Sequence, residues 1–175
     1  MKVNKLSAGI LVYKKSGNTF SVLLVHPGGP FWAKKDLGAW SIPKGEFDSS
    51  EIAFEAAKRE FYEETGFKVS EAFADFIELK SLKQKSGKTV FCFAIEGDFD
   101  TAKMYSNTFE MEWPPKSGKF QSFLEVDKAE WFPANIGLKK ILDGQKSFIL
   151  ELSEKLGISI DDKIEENGQL NLFSF

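Results

Sequence analysis

Two apolar runs open the chain. SAGILVYKK and FSVLLVHP are rich in branched and aromatic residues and are separated by the polar stretch KSGNT. Such runs, bounded by Gly, Asn and Ser, predict strands over Leu6 to Lys15 and Phe20 to Pro27, joined as a hairpin. The pattern then breaks. Gly28 to Ala39 (GGPFWAKKDLGA) predicts a loop, and WSIP a short extended piece ended by Pro43. Next the apolar period becomes helical, with Ile52, Ala53, Phe54, Ala56 and Phe61 on one face. Asp48 or Ser49 is the expected N-cap, since Asp48 and Glu51 have capping-box spacing. Gly66 is the expected stop. FIELKSLKQ and KTVFCFAIEGD predict a second hairpin around Ser86-Gly87. The stretch from Phe99 onward reads as irregular, centred on WPPKSG, and returns to a strand near Glu130 to Phe132. Helical patterns follow over Ile136 to Leu142 and Gln145 to Leu156. Strands, one central helix, strands and terminal helices predict an α/β fold, a mixed sheet between helices. No repeat or linker divides it. The expectation is one domain over residues 1–160 and a tail, 161–175, with no assigned structure.

The chain has 175 residues, of which 42% are hydrophobic and 28% charged. That suffices for one domain with a real core. The net charge of −3 supplies no global basic field for long nucleic acid. One cysteine, Cys92, excludes an internal disulfide framework and suits a reducing compartment. The apolar run near the N-terminus is too short for a membrane span and lacks a small-residue cleavage site. These features lead to the expectation of a cytoplasmic protein with no membrane partner.

Charge placement changes the picture. Glu60, Glu63 and Glu64 stand at i, i+3 and i+4, on one helix face. They crowd the helix C-terminus, where the macrodipole is already negative. Each like-charge pair costs about 0.2–0.5 kcal/mol, and the unfavourable end of the dipole adds about 0.3–1 kcal/mol per group. Arg59, four residues from both Glu55 and Glu63, offsets part of this but not three carboxylates. A hard divalent cation such as Mg²⁺ or Mn²⁺ removes the conflict, because it prefers several oxygen ligands. The competing reading is a solvated acidic face.

The surroundings decide between these readings. Gly45 is followed by five residues and Glu51, then seven and Arg59-Glu60. Phe61, Glu63-Glu64, Gly66 and Phe67 complete the run. This pattern resembles the signature of the Nudix hydrolases at every position. Seven fixed letters at a typical usage of ~6% each coincide by chance at about one in 10⁸ to 10⁹ starts. The resemblance implies an α/β/α sandwich around a mixed sheet with a central catalytic helix. It implies Glu60 and Glu64 as metal ligands, Glu63 joining directly or through water, and the Lys44 carbonyl as a further ligand. Glu51 and Arg59 are expected to pair and fix the loop against the helix. The implied reaction is hydrolysis of a pyrophosphate linkage in a nucleoside diphosphate joined to another moiety. The general base lies within the motif or on a separate loop. Glu125 is the outside candidate, because EVDKAEWF is similar to the spaced Glu and Trp of diadenosine-polyphosphate-cleaving members. Glu110 and Glu112 are rivals.

Two segments are candidates for substrate contact. In HPGGPFWAKKDLGAW, Trp32 or Phe31 offers a stacking face and Lys34 or Lys35 a phosphate contact. The alternative is a packed aromatic loop. Trp40 is either core or cleft wall, and His26 a hydrogen-bonded structural residue or a phosphate contact. In EWPPKSGKF, Trp113 with Lys116 and Lys119 suits a base and a polyphosphate. Lys83, Lys85 and Lys88 crowd a hairpin tip. These segments also resemble a bacterial subgroup described as predicted nucleotide pyrophosphohydrolases. The expected substrate is a dinucleoside polyphosphate or a nucleoside triphosphate. The alternative from another class is a catalytically silent nucleotide-binding regulator. A monomer or homodimer is expected, with the tail NLFSF as the candidate pairing element.

Overall fold

The computed structural model describes residues 5–84 and 87–161. Its centre is a six-stranded mixed sheet with path β4-β5-β1-β2-β8. Strands β1 (Leu6–Ser16), β2 (Thr19–Pro27), β3 (Lys44–Phe47), β4 (Ile77–Lys83) and β5 (Thr89–Glu96) precede β8 (Val126–Pro133) in this sheet. β1 and β5 run parallel over Leu6 to Tyr13, whereas β1–β2, β2–β8 and β4–β5 are antiparallel.

The apolar runs are continuous because helices cover both faces of the sheet. Ala8, Ile10, Val12, Leu23 and Val25 pack with Phe54, Ala56, Ala57 and Phe61 of helix α1 (Ala53–Thr65). Their strand neighbours Leu11, Tyr13, Phe20, Val22 and Leu24 face the opposite cluster. There they meet Ala134 of α2 (Ala134–Lys140) and Phe148, Ile149 and Leu152 of α3 (Lys146–Leu156). The result is the expected α/β/α sandwich.

One irregularity places the site. β5 occupies one edge of β1, so β2 and β3 share the other. β3 pairs with Leu6 to Gly9, and β2 with Tyr13 to Ser16. Between them the Trp40–Pro43 segment enters the gap: the N–H of Ile10 donates to the Pro43 carbonyl, and Val25 and Ser41 exchange backbone bonds. β3 thereby delivers Lys44 and Gly45 against α1.

Three expectations are corrected. α1 begins at Ala53 with Ile52 at its N-cap position and no side-chain cap. Asp48 instead accepts the Ser50 N–H at 2.7 Å and closes a turn before the helix. Ile52 is 71% exposed and so lies off the buried face. The stretch read as irregular contains a hairpin, β6 (Thr108–Glu112) with β7 (Phe120–Leu124), paired antiparallel outside the main sheet. The tail NLFSF, Lys85 and Ser86 lie outside the described residues.

Candidate active site

Gly66 ends α1 in the left-handed conformation, φ 74°, a geometry that favours glycine. The helix carbonyls near that end find partners in a passing segment: Tyr105 donates to Thr65 at 2.9 Å and Asn107 to Glu63 at 3.0 Å. Glu63 and Glu64 are thus held on a well-anchored last turn, with Glu60 one turn before them.

Arg59 is the local counter-charge. Its Nε and Nη2 each lie 3.0 Å from a carboxylate oxygen of Glu51, a bidentate pair. Its Nη1 reaches Glu60 at 2.6 Å and Glu63 at 3.3 Å. The bonds to Glu51 first and then Glu60 hold the guanidinium above its usual range, against its own partial burial. Glu55 does not figure among these partners.

Glu60 is buried, and its carboxylate occupies the space beside Gly45. A Cβ built on Gly45 would sit 1.7 Å from Oε2 of Glu60. Any larger residue there would displace the carboxylate. Glu64 accepts the Lys44 N–H through Oε2 at 2.9 Å. Burial raises the Glu64 carboxyl to about 8, opposed by that N–H and the Lys44 charge and helped by Glu60 and Glu125. Burial also raises Glu60, with Arg59 opposing and Glu63 and Glu125 adding. The Lys44 ammonium is lowered by its own burial, with Glu64 opposing.

Glu125, exposed just before β8, is near enough for its charge to bear on Glu60 and Glu64. Burial raises its carboxyl, and the charge of Glu63 adds to the rise. Its backbone is tied on both sides: its N–H donates to Asn107 at 2.8 Å and its carbonyl accepts from Gly28 at 2.9 Å. Gly28 has no room for a side chain, since a Cβ would lie 1.9 Å from the Leu124 carbonyl oxygen. Ser106 is buried and bridges the same segment, accepting the Val126 N–H and donating to the Asn107 carbonyl, both at 3.0 Å.

Among the described residues, no three His, Cys, Asp or Glu side chains form a ready ion cage. Arg59 draws Glu60 and Glu63 to itself, and the Lys44 N–H takes one oxygen of Glu64. The donor set still suits a hard cation: carboxylates pushed toward neutrality by burial and mutual repulsion, around a cradle that only glycine leaves open.

The remaining candidates divide. Trp40 is 3% exposed, packs edge-on against His26 and Phe132, and donates to Asp36, so it is core and not a cleft wall. Trp32 is partly buried against the core cluster, with Lys35 over its ring at 4.5 Å. Phe31, 56% exposed, meets Trp113 edge-on at 5.3 Å and joins the long loop to the β6–β7 hairpin. Lys34 and Lys116 are exposed. Glu112 accepts the Gly118 N–H and Glu110 lies exposed on β6. Lys88 pairs with Glu46 at 2.6 Å. A cavity of about 330 Å³, lined in part by Ser16, Asn18, Asn135 and Asp161, lies at the opposite end of β1 and takes no part in this arrangement.

The NUDIX domain model matches residues 3–152. The chain belongs to the NUDIX domain family. It is a Nudix hydrolase. An RNA pyrophosphohydrolase of Brucella anthropi is 32% identical over 138 residues, 71% of this chain and 73% of that protein. Among solved structures, the NUDIX domain of Shewanella oneidensis NrtR, complexed with ADP ribose, aligns with TM-score 0.58 and 17% identity. That alignment covers 89% of this chain and 90% of the other. A C. elegans Ap4A hydrolase aligns with TM-score 0.56 and 20% identity, covering 86% and 98%. At these identities the structural likeness concerns the fold. The Nudix signature sits on β3, the turn after it and α1, as its spacing requires.

Sequence reasoning missed the supports of Glu125: Gly28, Ser106 and Asn107. They act through backbone groups and one hydroxyl. The paired glycines of HPGGP were the available signal for the close approach at Gly28.

Proposed function

We propose that this Nudix hydrolase cleaves a phosphoric anhydride in a nucleoside diphosphate linked to another moiety, with Mg²⁺ or Mn²⁺ as cofactor. The observation that carries the reading is the Glu60 carboxylate lodged against Gly45, with Glu64 fastened to the Lys44 N–H beside it and raised to about 8. Glu60 and Glu64 would hold the cation, with Glu63 directly or through water and the Lys44 carbonyl as further donors. When bound, it neutralises phosphate charge and lowers the pKa of an attacking water. Arg59, fixed by Glu51, orients the acidic face. Glu125, whose carboxyl is raised by burial and by the Glu63 charge, takes the proton from the attacking water. The Lys44 ammonium, Lys34 and Lys116 supply positive charge for the phosphate chain, and the Phe31–Trp113 edge an aromatic wall for a base.

A dinucleoside polyphosphate is the first substrate choice, on Glu125 and the lysine-bearing loops, and a nucleoside triphosphate the second. The relative named an RNA pyrophosphohydrolase favours a further reading, the same cleavage at a phosphorylated RNA end. A nucleotide-binding regulator with this fold has no need of the full acidic set. We place the enzyme in the cytoplasm as a monomer or homodimer, to be checked by light scattering with and without residues 162–175. Among the described residues no helix is long and apolar enough to cross a membrane.

The test is a phosphate-release screen on dinucleoside polyphosphates, nucleoside triphosphates, nucleotide sugars and a triphosphorylated RNA oligomer, with metal or chelator. One preferred substrate, lost with chelator, supports the reading. Nucleotide binding without turnover on any of them transfers it to the regulator.

A further inference from the structure

His26 is the chain's only histidine and is 3% exposed. It is the last residue but one of β2, at a register shift between His26 and Pro27. Its Nδ1 lies 2.7 Å from Asp127 Oδ1, and its Nε2 lies 2.7 Å from the Lys35 carbonyl oxygen. A carbonyl oxygen can only accept a hydrogen bond, and so can an ionised carboxylate. Two acceptors require two N–H donors, so the ring that makes both bonds is an imidazolium. A neutral ring would turn a lone pair toward one of them.

The surroundings suit a cation. Asp127 comes from β8. Asp36 comes from the long loop and is held below the usual carboxylate range by Lys140 and Trp40 first, with His26 contributing. Lys140 of α2, paired with Asp36, is the opposing charge. The Trp40 ring meets the imidazole edge-on at 5.2 Å.

The two bonds join two parts of the proposed site. Lys35 lies in the Gly28–Ala39 loop. Asp127 lies two residues after Glu125. The loop's first residue is already tied to Glu125 by the Gly28 N–H. We infer that His26, protonated on both ring nitrogens, is a positioning residue that clamps the Gly28–Ala39 loop to the strand segment bearing Glu125. Without the second proton one bond is lost, and the His26 link between Lys35 and Asp127 is broken, while the Gly28 bond to Glu125 remains. The functional consequence, weaker substrate capture, rests on the proposed role of this site. The clamp itself does not.

The experiment is ¹⁵N NMR of the full chain labelled at histidine, where a single ring gives an unambiguous signal. At pH 7.5 an unpaired imidazole is mostly neutral. The clamp predicts two protonated nitrogens at that pH. Asp127 is partly exposed, so Asp127→Ala should fold. It should leave a neutral ring protonated on Nε2, speed amide exchange in the loop, and raise KM about tenfold through loss of a charge-assisted bond. Wild-type KM should rise at the pH where the ring signal loses its second proton, and Asp127→Ala should lose that step. A purely structural role would lower the melting temperature without moving the pH profile. A neutral wild-type ring at pH 7.5, or an unchanged KM profile in Asp127→Ala, overturns the inference. If no nucleotide is cleaved, the function reading fails alone, and the ring signal with loop exchange still decides the clamp.

Discussion

The backbone N–H of Lys44 donates to Oε2 of Glu64 at 2.9 Å and so fastens the start of β3 to the last turn of α1. The bond gives a half-buried carboxylate one fixed oxygen. It does not supply the counter-charge that burial demands, and the carboxyl is raised to about 8.

That shift sets the pH behaviour of the metal-free protein. An unpaired Glu titrates at about 4.3. Between about 4.3 and about 8 the folded protein holds a proton that the unfolded chain has released. Stability of the metal-free form should therefore fall as pH rises through that window. Metal binding needs the ionised carboxylate, so it should release about one proton per site at pH 7. Calorimetry in two buffers of different ionisation heat measures this. Equal heats in both buffers would contradict it.

Gly45→Ala should be severe for a side chain so small. Its Cβ would fall 1.7 Å from Glu60 Oε2, so the carboxylate must leave the cradle. Mg²⁺ affinity should drop by about tenfold or more, as when a supporting group of a metal site is lost. A titration that matches wild type would mean the cradle is not part of the cation site.

Arg59→Gln removes the partner of Glu51, Glu60 and Glu63 together. With metal absent, the melting point should fall by an amount equivalent to about 1–2 kcal/mol, given the partial exposure of the pairs. Saturating Mg²⁺ should restore more of the melting temperature in the variant than it adds to wild type. Equal metal-induced rises would show that Arg59 and the cation do not share these carboxylates.

Ser106→Ala removes the acceptor for the Val126 N–H and the donor to the Asn107 carbonyl. A buried unpaired N–H costs about 1–3 kcal/mol. The kcat should fall together with stability, because Glu125 is carried by the same segment. Ser106→Thr, which keeps the hydroxyl, should retain more of the kcat. An equal kcat in the Ala variant would separate this bridge from the chemistry.

The helix and its acids were legible because their spacing is itself the geometry. Glu60, Glu63 and Glu64 at i, i+3 and i+4 must share a face, and Glu51 can reach Arg59 only if the loop folds back. The helix start was misread for a related reason. Asp48 and Glu51 fit a capping box, but Glu51 is drawn to Arg59, and Asp48 is left to close a turn. Trp40 shows the limit of reading a cleft from neighbours in sequence: it adjoins the motif yet points to the core formed with Phe132. The β6–β7 hairpin was missed because Pro114-Pro115 suggests irregularity. The alternation in TFEME and FQSFL carried the strand signal around that turn. His26 could be read as hydrogen-bonded, but its partners are a carbonyl nine residues away and a carboxylate 101 residues away, and only the fold brings them together.

The most direct test of the account compares Mg²⁺-dependent turnover of wild type and Glu64→Gln on the preferred substrate from the screen. Melting curves recorded with chelator serve as the check on folding. The account predicts that the variant folds but loses about 100-fold or more in kcat/KM, beyond what loss of an outer supporting group costs. Undiminished turnover in Glu64→Gln would contradict the metal-ligand assignment, and with it the hydrolytic site built on α1.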